Sequence, residues 1–394
     1  MRCFAALLPA VLLATSFASA SPFFSIPLTR LERTGSYLKG SPDADRARAS
    51  LLRSRTASSG PITVPATNLG YVQYTTSVGI GFPPTYYNLL VDTGSSNTFC
   101  GTGTKYVRTS TSIPTGESVN VTYGSGYFYG IEYLDQVTLA SNFVIVNQSI
   151  GDALSYADFE GIDGIIGLGP TILTEGTLTH ETELIPTVMD NLVLQGLIKD
   201  QTLGVYFAPA TSRSETNGVL TYGGTDPSLY KGKLTYTPVT ETYPASYYWG
   251  INVTSSTYGT KTVIPVSTAG IVDSGTTQVL LADDFFTVYM DAIPGAKMDP
   301  NTGLLEIPKS SVASMQPLNF TIGCTVFSMD VAAQLIPTDQ NTIWGGVESK
   351  HYGVLGNLGD PSGEGLDFII GQKFIERYYT VFDTDRNRVG FAQT

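Results

Sequence analysis

Two aspartates, Asp92 and Asp273, stand in matching local sequences. Residues 90–95 read Leu-Val-Asp-Thr-Gly-Ser, and residues 271–276 read Ile-Val-Asp-Ser-Gly-Thr. A single aspartate followed by a hydroxyl residue and a glycine is most often an ordinary Asx-type turn. Average composition makes two such copies, one in each half of the chain, improbable by chance. The repeated pattern therefore predicts that both aspartates serve one site.

Each copy is suited to presenting a carboxylate at the end of a strand. Glycine permits a tight turn, and the following Ser95 or Thr276 can donate a hydrogen bond to the carboxylate. At ~4 Å and an effective dielectric constant of ~20, two carboxylates repel by about 4 kcal/mol, which separates their ionisations by about 3 pH units. The pair would hold one proton over a broad acidic range. It could then take a proton from water, donate one to a carbonyl oxygen and add water to an amide.

Other catalytic arrangements fit the sequence less well. The histidines, His180 and His351, are isolated, so the sequence has no HExxH zinc motif. It also has no GxSxG motif and no glycine-rich phosphate loop. An S-x-x-K match at residues 36–39 lies in the basic N-terminal segment and is interpreted as coincidence. We therefore predict no metal and no cofactor.

The elements that position the aspartates are predicted to be strands. The chain has 394 residues, of which 42% are apolar and only 14% charged, with 41 glycines and 23 tyrosines. This composition is typical of an all-β protein with many tight turns, and the length suggests about two domains. Ile-Ile-Gly recurs at residues 165–167 and 369–371, once after each aspartate motif, which indicates two related lobes.

Local patterns predict individual elements. Residues 119–123 and 127–137 flank Gly124-Ser125-Gly126 and predict a β-hairpin. Capping residues and apolar spacing predict helices over residues 186–195, 283–293 and 372–378.

Residues 1–20 are predicted to be a signal peptide. Arg2 is followed by an apolar run over residues 3–14 and by the small-residue cleavage pattern Ala-Ser-Ala at 18–20. The alternative is a membrane anchor, but the run is shorter than the ~20 residues that a spanning helix needs. The signal peptide favours secretion to the medium over a vacuolar destination.

Residues 21–59 differ in charge from the rest of the chain. They hold seven basic and three acidic side chains, whereas residues 60–394 hold 14 basic and 31 acidic ones. The segment is either a disordered tail or a propeptide whose positive charges lie against the acidic body, with a cleavable linker near residues 58–61. The acidic body makes nucleic acid an improbable partner.

Two cysteines, Cys100 and Cys324, remain beyond the signal peptide, so one disulfide at most is possible. They are interpreted as small buried residues rather than reactive groups. Four Asn-x-Ser/Thr sequons could carry glycans in a secreted protein, at Asn120, Asn147, Asn252 and Asn319.

At the two aspartate motifs, the sequence resembles the pepsin family of aspartic peptidases. The resemblance runs from about residue 64 to the C terminus. It also rests on Val-Thr-Tyr-Gly-Ser-Gly at 121–126, Asp-Gly-Ile-Ile-Gly-Leu-Gly at 163–169, Tyr-Trp-Gly-Ile at 248–251 and the stretch 369–392. The runs at 173–178 and 362–368 are similar to basidiomycete fungal members of the family, and Ile-Pro-Leu at 26–28 to the start of pepsinogen-type propeptides.

The resemblance implies an all-β, bilobed pepsin-like fold with two six-stranded-barrel-like lobes, at residues 60–232 and 233–394, around a central cleft. It implies a monomeric acid endopeptidase that is made as a zymogen, cleaves extended polypeptides and binds pepstatin-like inhibitors. No membrane partner is expected.

The resemblance also implies a role for each motif residue, with the catalytic Asp92 and Asp273 meeting at the cleft floor. Thr93 and Ser274 would tie the two loops together, Ser95 and Thr276 would hydrogen-bond the outer carboxylate oxygens, and Gly94 and Gly275 would let the substrate backbone approach. A flap carrying Tyr123, Gly124 and Ser125 would close over the substrate.

The sequence departs from the family pattern in a few places. Phe99 stands where the family usually has tryptophan, so a hydrogen bond to the flap tyrosine would be missing. Gln372 replaces an aspartate, and Ser274 replaces threonine but keeps its hydroxyl. Ser125 stands where some fungal relatives have an aspartate that helps them accept lysine before the cut, so little cleavage after basic residues is expected.

Two other functions compete with the peptidase. One is a peptidase-like binding protein that has lost catalysis, although both aspartate motifs are intact. The other is a glycoside hydrolase, which also uses paired carboxylates but does not account for the matched Asp-hydroxyl-Gly turns. Pepstatin distinguishes them, because it should block only a peptidase.

Overall fold

The computed structural model describes residues 23–30, 35–54, 74–123, 126–180, 184–208 and 218–394. The signal-peptide prediction and the candidate flap residues Gly124 and Ser125 lie outside these ranges. Within them the chain is built mainly of strands with a few short helices, as the composition predicted.

The strands of the first half are β1 (Phe24–Arg30), β2 (Tyr74–Ile80), β3 (Thr85–Asp92), β4 (Phe99–Cys100), β5 (Ile113–Tyr123), β6 (Gly126–Ala140), β7 (Phe143–Ala157), β8 (Gly164–Gly167), β9 (Thr202–Phe207) and β10 (Gly218–Tyr222). Those that follow are β11 (Lys231–Pro238), β12 (Gly250–Tyr258), β13 (Lys261–Ile264), β14 (Thr268–Val272), β15 (Val279–Leu281), β16 (Lys297–Met298), β17 (Leu305–Ile307), β18 (Leu318–Ile322), β19 (Thr325–Met329), β20 (His351–Gly353), β21 (Leu355–Asn357), β22 (Phe368–Ile370), β23 (Tyr378–Asp383) and β24 (Arg388–Gln393). The α-helices are α1 (Ser41–Ser54), α2 (Val188–Leu194), α3 (Asp283–Asp291), α4 (Lys309–Val312), α5 (Val331–Gln334) and α6 (Gln372–Ile375).

The strands form three sheets. The largest has 13 strands in the order β11-β24-β23-β9-β10-β1-β2-β3-β8-β4-β7-β6-β5, with an added β2–β6 pairing. The second has the path β19-β18-β12-β14-β22-β15-β21 with β13 beside β12, and the third is β16-β17-β20. Because β23 and β24 lie between β9 and β11, the C-terminal residues join the sheet of the first half.

The internal repeat has a direct structural counterpart. Strand β3, which ends at Asp92, pairs in parallel with β8 so that Val91 lies opposite Ile166. Strand β14, which ends just before Asp273, pairs in parallel with β22 so that Val272 lies opposite Ile370. Strands β8 and β22, residues 269–272 of β14 and residues 89–92 of β3 are buried on both faces, which is why these stretches read as continuous apolar runs. Strand β4 is antiparallel to β8, and β15 is antiparallel to β22. The two aspartate turns are therefore held by the same arrangement of three strands, β3-β8-β4 in one case and β14-β22-β15 in the other.

The basic N-terminal segment is folded wherever it is described, which excludes a disordered tail for residues 23–30 and 35–54. Strand β1 pairs with β10 over residues 24–28 and with β2 over residues 29–30. Helix α1 was not predicted. Its buried face is Ser41, Pro42, Ala44, Asp45, Arg48, Ala49 and Leu52, a spacing that follows the helical period.

The other predicted elements are largely confirmed. Strands β5 and β6 form the predicted hairpin, and α2 and α3 lie inside the predicted ranges 186–195 and 283–293. Helix α2 begins with a capping box between Thr187 and Asp190. The third prediction, over 372–378, is too long: α6 ends at Ile375, because Tyr378 begins β23 beside β9 and β24.

The two cysteines are both free. Cys100 is buried in β4, whereas Cys324 is exposed in the turn between β18 and β19, where its φ is 68°. The interpretation of both as buried residues is therefore wrong for Cys324. No helix among the described residues is long and apolar enough to cross a membrane.

Candidate active site

The Asp92 carboxylate is fully buried and held from its own turn. The Ser95 hydroxyl donates to Asp92 Oδ2 at 2.6 Å, and the Gly94 backbone N–H donates to Oδ1 at 2.9 Å. Asp273 is held in the same way, by the Thr276 hydroxyl at 2.6 Å and the Gly275 N–H at 2.8 Å. Both carboxylates are thus oriented by one hydroxyl and one backbone donor, as predicted for Ser95 and Thr276.

The two turns are joined directly. Thr93 N–H donates to Ser274 Oγ at 3.0 Å, and Ser274 N–H donates to Thr93 Oγ1 at 2.9 Å. The Ser274 hydroxyl then donates to the Val91 carbonyl at 2.9 Å. All these groups are buried, so each hydrogen bond satisfies an atom that water does not reach. The predicted cross-link between the loops is present in the structure.

Arg48 of α1 lies between the two aspartates, which the sequence did not predict. Its Nη2 is 2.7 Å from Asp92 Oδ1 and 3.0 Å from Asp273 Oδ1, and its Nε is 2.6 Å from Asp273 Oδ2. The side chain of Arg48 is 4% exposed and those of both aspartates are 0% exposed. A buried guanidinium therefore lies between the two carboxylates and bridges them.

The glycines of the motifs make this approach possible. A Cβ at Gly94 would stand 2.5 Å from Arg48 Nη2 and 2.5 Å from Asp273 Oδ1. A Cβ at Gly275 would stand 2.5 Å from Asp92 Oδ1. These distances are far below van der Waals contact, so any side chain here would push the two loops apart or displace the group between them.

The ionisation of the pair is uneven while Arg48 is bound. Burial raises the pKa of Asp92 above its ordinary value, although Arg48 acts against it. At Asp273 burial also acts to raise the pKa, but the charge and hydrogen bonds of Arg48 prevail and lower it below 3.8. Burial would lower the pKa of Arg48, yet the two carboxylates raise it, so the guanidinium stays charged. Asp273, with two contacts from Arg48, is the more firmly ionised partner.

Asp45 of α1 also enters the site. Its Oδ1 accepts from the Thr277 N–H at 3.0 Å and its Oδ2 from the Gln278 N–H at 2.8 Å. Burial raises the pKa of Asp45 to about 7, although the two backbone donors act to lower it.

The C-terminal end of α1 is held on the second half of the chain. Arg53 Nε donates to the Leu366 carbonyl at 2.7 Å, and its other nitrogens lie 3.1 Å from Asp360 and 3.7 Å from Asp367. The Tyr248 hydroxyl donates to the Leu52 carbonyl at 3.2 Å. Helix α1 is therefore anchored at both ends, with Arg48 between the anchors.

Tyr123, the candidate flap residue, is buried in an aromatic cluster. Its ring centroid lies 5.8 Å from that of Phe99, 5.7 Å from that of Phe159 and 6.5 Å from that of Phe128. Phe99 in turn stacks on Phe128 at 3.9 Å. Phe99, which stands where the family usually has tryptophan, thus packs against the ring of Tyr123 but has no indole N–H to donate.

Gln372, the second departure, supports the second turn. Its backbone N–H donates to the Thr276 carbonyl and its side-chain amide donates to the Ser274 carbonyl, both at 2.8 Å. An aspartate at this position could not make the second contact, because an ionised carboxylate has no donor.

The remaining predicted residues lie away from this site. Asn120 and Asn147 are exposed and Asn252 and Asn319 are half-buried. His180 is exposed near Glu117, and His351 is half-buried in β20. Among the described residues, no group of three or more His, Cys, Asp or Glu side chains is arranged to hold a metal ion.

Arg48 and Asp45 could have been found from one signal. Ser41-Pro42 with Asp43 is a helix start, and from there Asp45, Arg48 and Leu52 share one helical face. Asp45 and Arg48 lie on the face that also carries the apolar residues, so they are expected to be buried when that face packs. This indicates that they contact charged or polar groups of the protein body.

Known proteins resemble this chain over most of its length. Residues 73–394 match the profile of the family described as eukaryotic aspartyl protease. Polyporopepsin from Irpex lacteus is 54% identical over 84% of this chain and 97% of its own length. Gastricsin from Cavia porcellus is 30% identical over 86% of this chain and 85% of its own.

The crystal structure of the aspartic proteinase from Irpex lacteus has the same fold. It superposes with a TM-score of 0.81 at 46% sequence identity, covering 95% of this chain and 98% of that one. The resemblance to fungal family members drawn from residues 173–178 and 362–368 is thus confirmed.

Proposed function

The chain belongs to the eukaryotic aspartyl protease family and is an aspartic-type endopeptidase, and we propose that it is made as a secreted, inactive precursor whose catalytic pair is Asp92 and Asp273. The observation that carries the proposal is the pair itself, buried, held by matched turns and bridged by Arg48 of the N-terminal segment. Residues 21–59 would be the propeptide.

The catalytic step follows from the two carboxylates once Arg48 has left. The pair then shares one proton, because two adjacent negative charges repel. The ionised carboxylate takes a proton from a water molecule held between the two, and the protonated one gives its proton to the carbonyl oxygen of the peptide bond. Water adds to the carbonyl carbon and gives a tetrahedral intermediate with two hydroxyl groups. The carboxyl group that took the proton from water then gives it to the amide nitrogen, the other carboxylate takes back a proton from one of the hydroxyl groups, and the C–N bond breaks. The amine leaves, the pair again holds one proton, and no covalent enzyme intermediate forms. Ser95 and Thr276 hold the carboxylates in place while this happens.

Inhibition in the precursor rests on the fit of α1. Arg48 occupies the space over Gly94 and Gly275 that an extended substrate needs. Removing one partner of a buried ion pair costs about 3–5 kcal/mol, so α1 stays bound while both aspartates are ionised.

Acid releases α1 through Asp273. The pKa of Asp273 is lowered below 3.8 in the docked state, so its contribution to docking is present above that pH and is lost as the pH falls through the docked pKa. Asp92 and Asp45 have raised pKa values, so their protonation in acid favours the docked state of α1. Release therefore depends on Asp273.

The wider features of the proposal rest on sequence. The pattern at residues 1–20 supports secretion, and the sequons support glycosylation. We assign the lobes to residues 60–232 and 233–394, a boundary that falls inside β11. The mature enzyme is proposed to be a monomer, to act on extended polypeptides and to be blocked by pepstatin-like inhibitors.

The test is cleavage of denatured haemoglobin from pH 2 to 7 by the full-length and the acid-treated protein, with and without pepstatin. Activity should appear only after acid treatment, stop with pepstatin and vanish in Asp92→Asn. The matched control is Asp339→Asn, at an exposed aspartate, which should cleave like the unmodified chain. Two results would contradict the proposal. One is cleavage by the folded Asp92→Asn variant, and the other is activity of the intact precursor at neutral pH equal to that of the acid-treated protein.

A further inference from the structure

The outer face of the β5–β6 hairpin carries a sequon directly opposite an exposed tyrosine. Asn120 begins the sequon Asn-Val-Thr at residues 120–122 and is exposed. Its partner in the ladder between β5 and β6 is Tyr129, which is 45% exposed. Residues directly opposite each other in an antiparallel pair have Cβ atoms about 4.5–5.5 Å apart. The tyrosine ring therefore lies within reach of a group attached to Asn120.

The Tyr129 side chain leans toward β5. Its hydroxyl donates to Ser118 Oγ at 3.3 Å, and Ser118 lies two residues before Asn120 on the same face of the strand. Tyr127, the neighbouring outward residue of β6, leans the other way, because its hydroxyl lies 3.4 Å from Ser155 Oγ of β7. Of these two tyrosines, Tyr129 is therefore the one that presents its ring beside Asn120.

The position of Asn120 is fixed by the protein body. Its N–H donates to the Thr177 carbonyl at 2.9 Å, and the Thr179 N–H donates to the Ser118 carbonyl at 3.0 Å. The residues on either side of Asn120 in β5, Val119 and Val121, are buried. Because β5 is held on both edges and packed on its inner face, the Asn120 side chain points out to solvent next to Tyr129.

The other three sequons have different surroundings. Asn252 and Asn319 are half-buried, and their side-chain amides contact the hydroxyl groups of Thr240 and Thr257. Asn147 is exposed, but it lies where the register of the β6–β7 ladder shifts, so it has no cross-strand partner in that ladder. Asn120 alone among the four sequons thus pairs directly with an exposed aromatic side chain.

We propose that Asn120 carries an N-linked glycan whose first sugar packs on the ring of Tyr129 and slows the opening of the β5–β6 hairpin. This inference rests on the proposed function, because N-glycosylation requires secretion. Attachment forms a bond between Asn120 Nδ2 and C1 of an oligosaccharide delivered on a lipid diphosphate, which leaves as the amide gives up one proton.

The chemistry of the two groups favours this contact. The first sugar is joined three bonds beyond the Cβ of Asn120, and the tyrosine ring extends over a similar distance from its own Cβ. One face of a pyranose ring presents C–H groups, which pack on the electron-rich face of an aromatic ring. Such a contact adds a cross-strand pair that joins β5 to β6. It would act on the hairpin whose strand β5 ends at Tyr123, the candidate flap residue.

The experiment uses full-length protein secreted by a eukaryotic host, in an Asp92→Asn background to prevent self-digestion. Mass spectrometry of the peptide that contains Asn120 gives the occupancy, and hydrogen exchange of peptides from β5 and β6 gives the rate of opening. Exchange should be about two- to tenfold slower than in Asn120→Gln, the effect expected of one added ring contact. Trimming the glycan to its first sugar should keep the difference.

Two results of this comparison would overturn the proposal. One is an unoccupied Asn120 in the secreted protein, and the other is a difference in exchange below 1.5-fold between the glycosylated protein and Asn120→Gln. A difference that disappears when the glycan is trimmed to its first sugar would overturn the contact with that sugar.

Tyrosine variants assign the effect to one ring. In Tyr129→Ser the glycosylated and Asn120→Gln forms should exchange alike, whereas Tyr129→Phe, which keeps the ring, should retain the difference. The matched control is Tyr127→Ser, on the same face of β6, which should also retain it. A difference that survives in Tyr129→Ser would overturn the assignment. Because each ratio compares two forms of one variant, a hairpin weakened by the substitution itself does not affect the result.

Haemoglobin cleavage by proteins that retain Asp92 separates this inference from the peptidase. Pepstatin-sensitive cleavage by Asn120→Gln and Tyr129→Ser would uphold the peptidase whatever the exchange rates are. No cleavage by folded, acid-treated protein would count against the peptidase, and the exchange ratios would still decide the glycan contact.

Discussion

Thr93 and Ser274, 181 residues apart, exchange hydrogen bonds so that each hydroxyl oxygen accepts the backbone N–H of the other residue. The two aspartate turns, which form the proposed catalytic site, are thus joined by two reciprocal contacts. Removing either hydroxyl should therefore alter the positions of both aspartates.

Ser274→Ala should separate this role from catalysis. It removes the buried hydroxyl that accepts the Thr93 N–H and donates to the Val91 carbonyl, and each buried group left unpaired costs about 1–3 kcal/mol. We expect a lower urea midpoint and at least a tenfold fall in kcat. Ser274→Thr keeps the hydroxyl and should restore both. An alanine variant as stable and as active as the serine enzyme would rule out a structural role for the cross-link.

Arg48→Leu should release inhibition in the uncleaved precursor. The substitution leaves two buried carboxylates without Arg48 under α1, a loss of about 3–5 kcal/mol in docking, which lowers the docking equilibrium constant at least about a hundredfold. Pepstatin-sensitive cleavage by the full-length chain should then appear at pH 6. Arg46→Leu, on the same helix but in contact with Asp43 and Asn357 instead, is the control and should stay inhibited. Equal inhibition in both variants would remove Arg48 from the mechanism.

Glu132 should make the protein less stable as the pH rises. It is fully buried in β6, and among the described residues its carboxyl group accepts one hydrogen bond, from Ser149. Burial raises its pKa from 4.5 to about 7. The folded state therefore holds a proton that the unfolded state loses, and about 3 kcal/mol of stability is lost between pH 4.5 and 7.

Glu132→Gln cannot ionise, so its urea midpoint should fall less over this range than that of the unmodified chain, both measured in an Asp92→Asn background to prevent self-digestion. Glu241→Gln, at an exposed glutamate, should keep the original pH dependence. Identical slopes for all three proteins would show that Glu132 is not the group responsible.

Gly275→Ala should abolish catalysis without unfolding the chain. The new Cβ would lie 2.5 Å from Asp92 Oδ1, so the carboxylates must move apart and the acid–base pair is lost. We expect kcat to fall at least a hundredfold, with circular dichroism unchanged. Gly224→Ala, whose Cβ would meet no atom closer than 3.5 Å, should retain activity. Retained activity in Gly275→Ala would argue against close contact at this turn.

The sequence predicted the two aspartate turns well because their hydrogen bonds are local. Ser95 and Thr276 each contact an aspartate three residues away. The repeat of the motif made the second turn, at Asp273, recognisable from the first. The cross-link and the fold came from the family resemblance.

What the sequence did not predict depends on contacts far apart in the chain. Arg48 is 44 residues from Asp92 and 225 from Asp273, and its role depends on a helix that is stabilised by docking. Short basic helices are marginal on their own, so local propensity alone carries little signal. The same reason explains the overlong prediction at 372–378, where pairing of Tyr378 with β24 overrides the helical pattern.

Strand β1 occupies an interior place in the large sheet, between β10 and β2. Its loss with the propeptide would leave five residues of β10 without their ladder partners and open two strand edges in the middle of the molecule. Under the proposed processing, the large sheet would therefore form with β1 as a member and later work without it. The precursor and the mature enzyme would then differ in the strand pairings available to them when they refold.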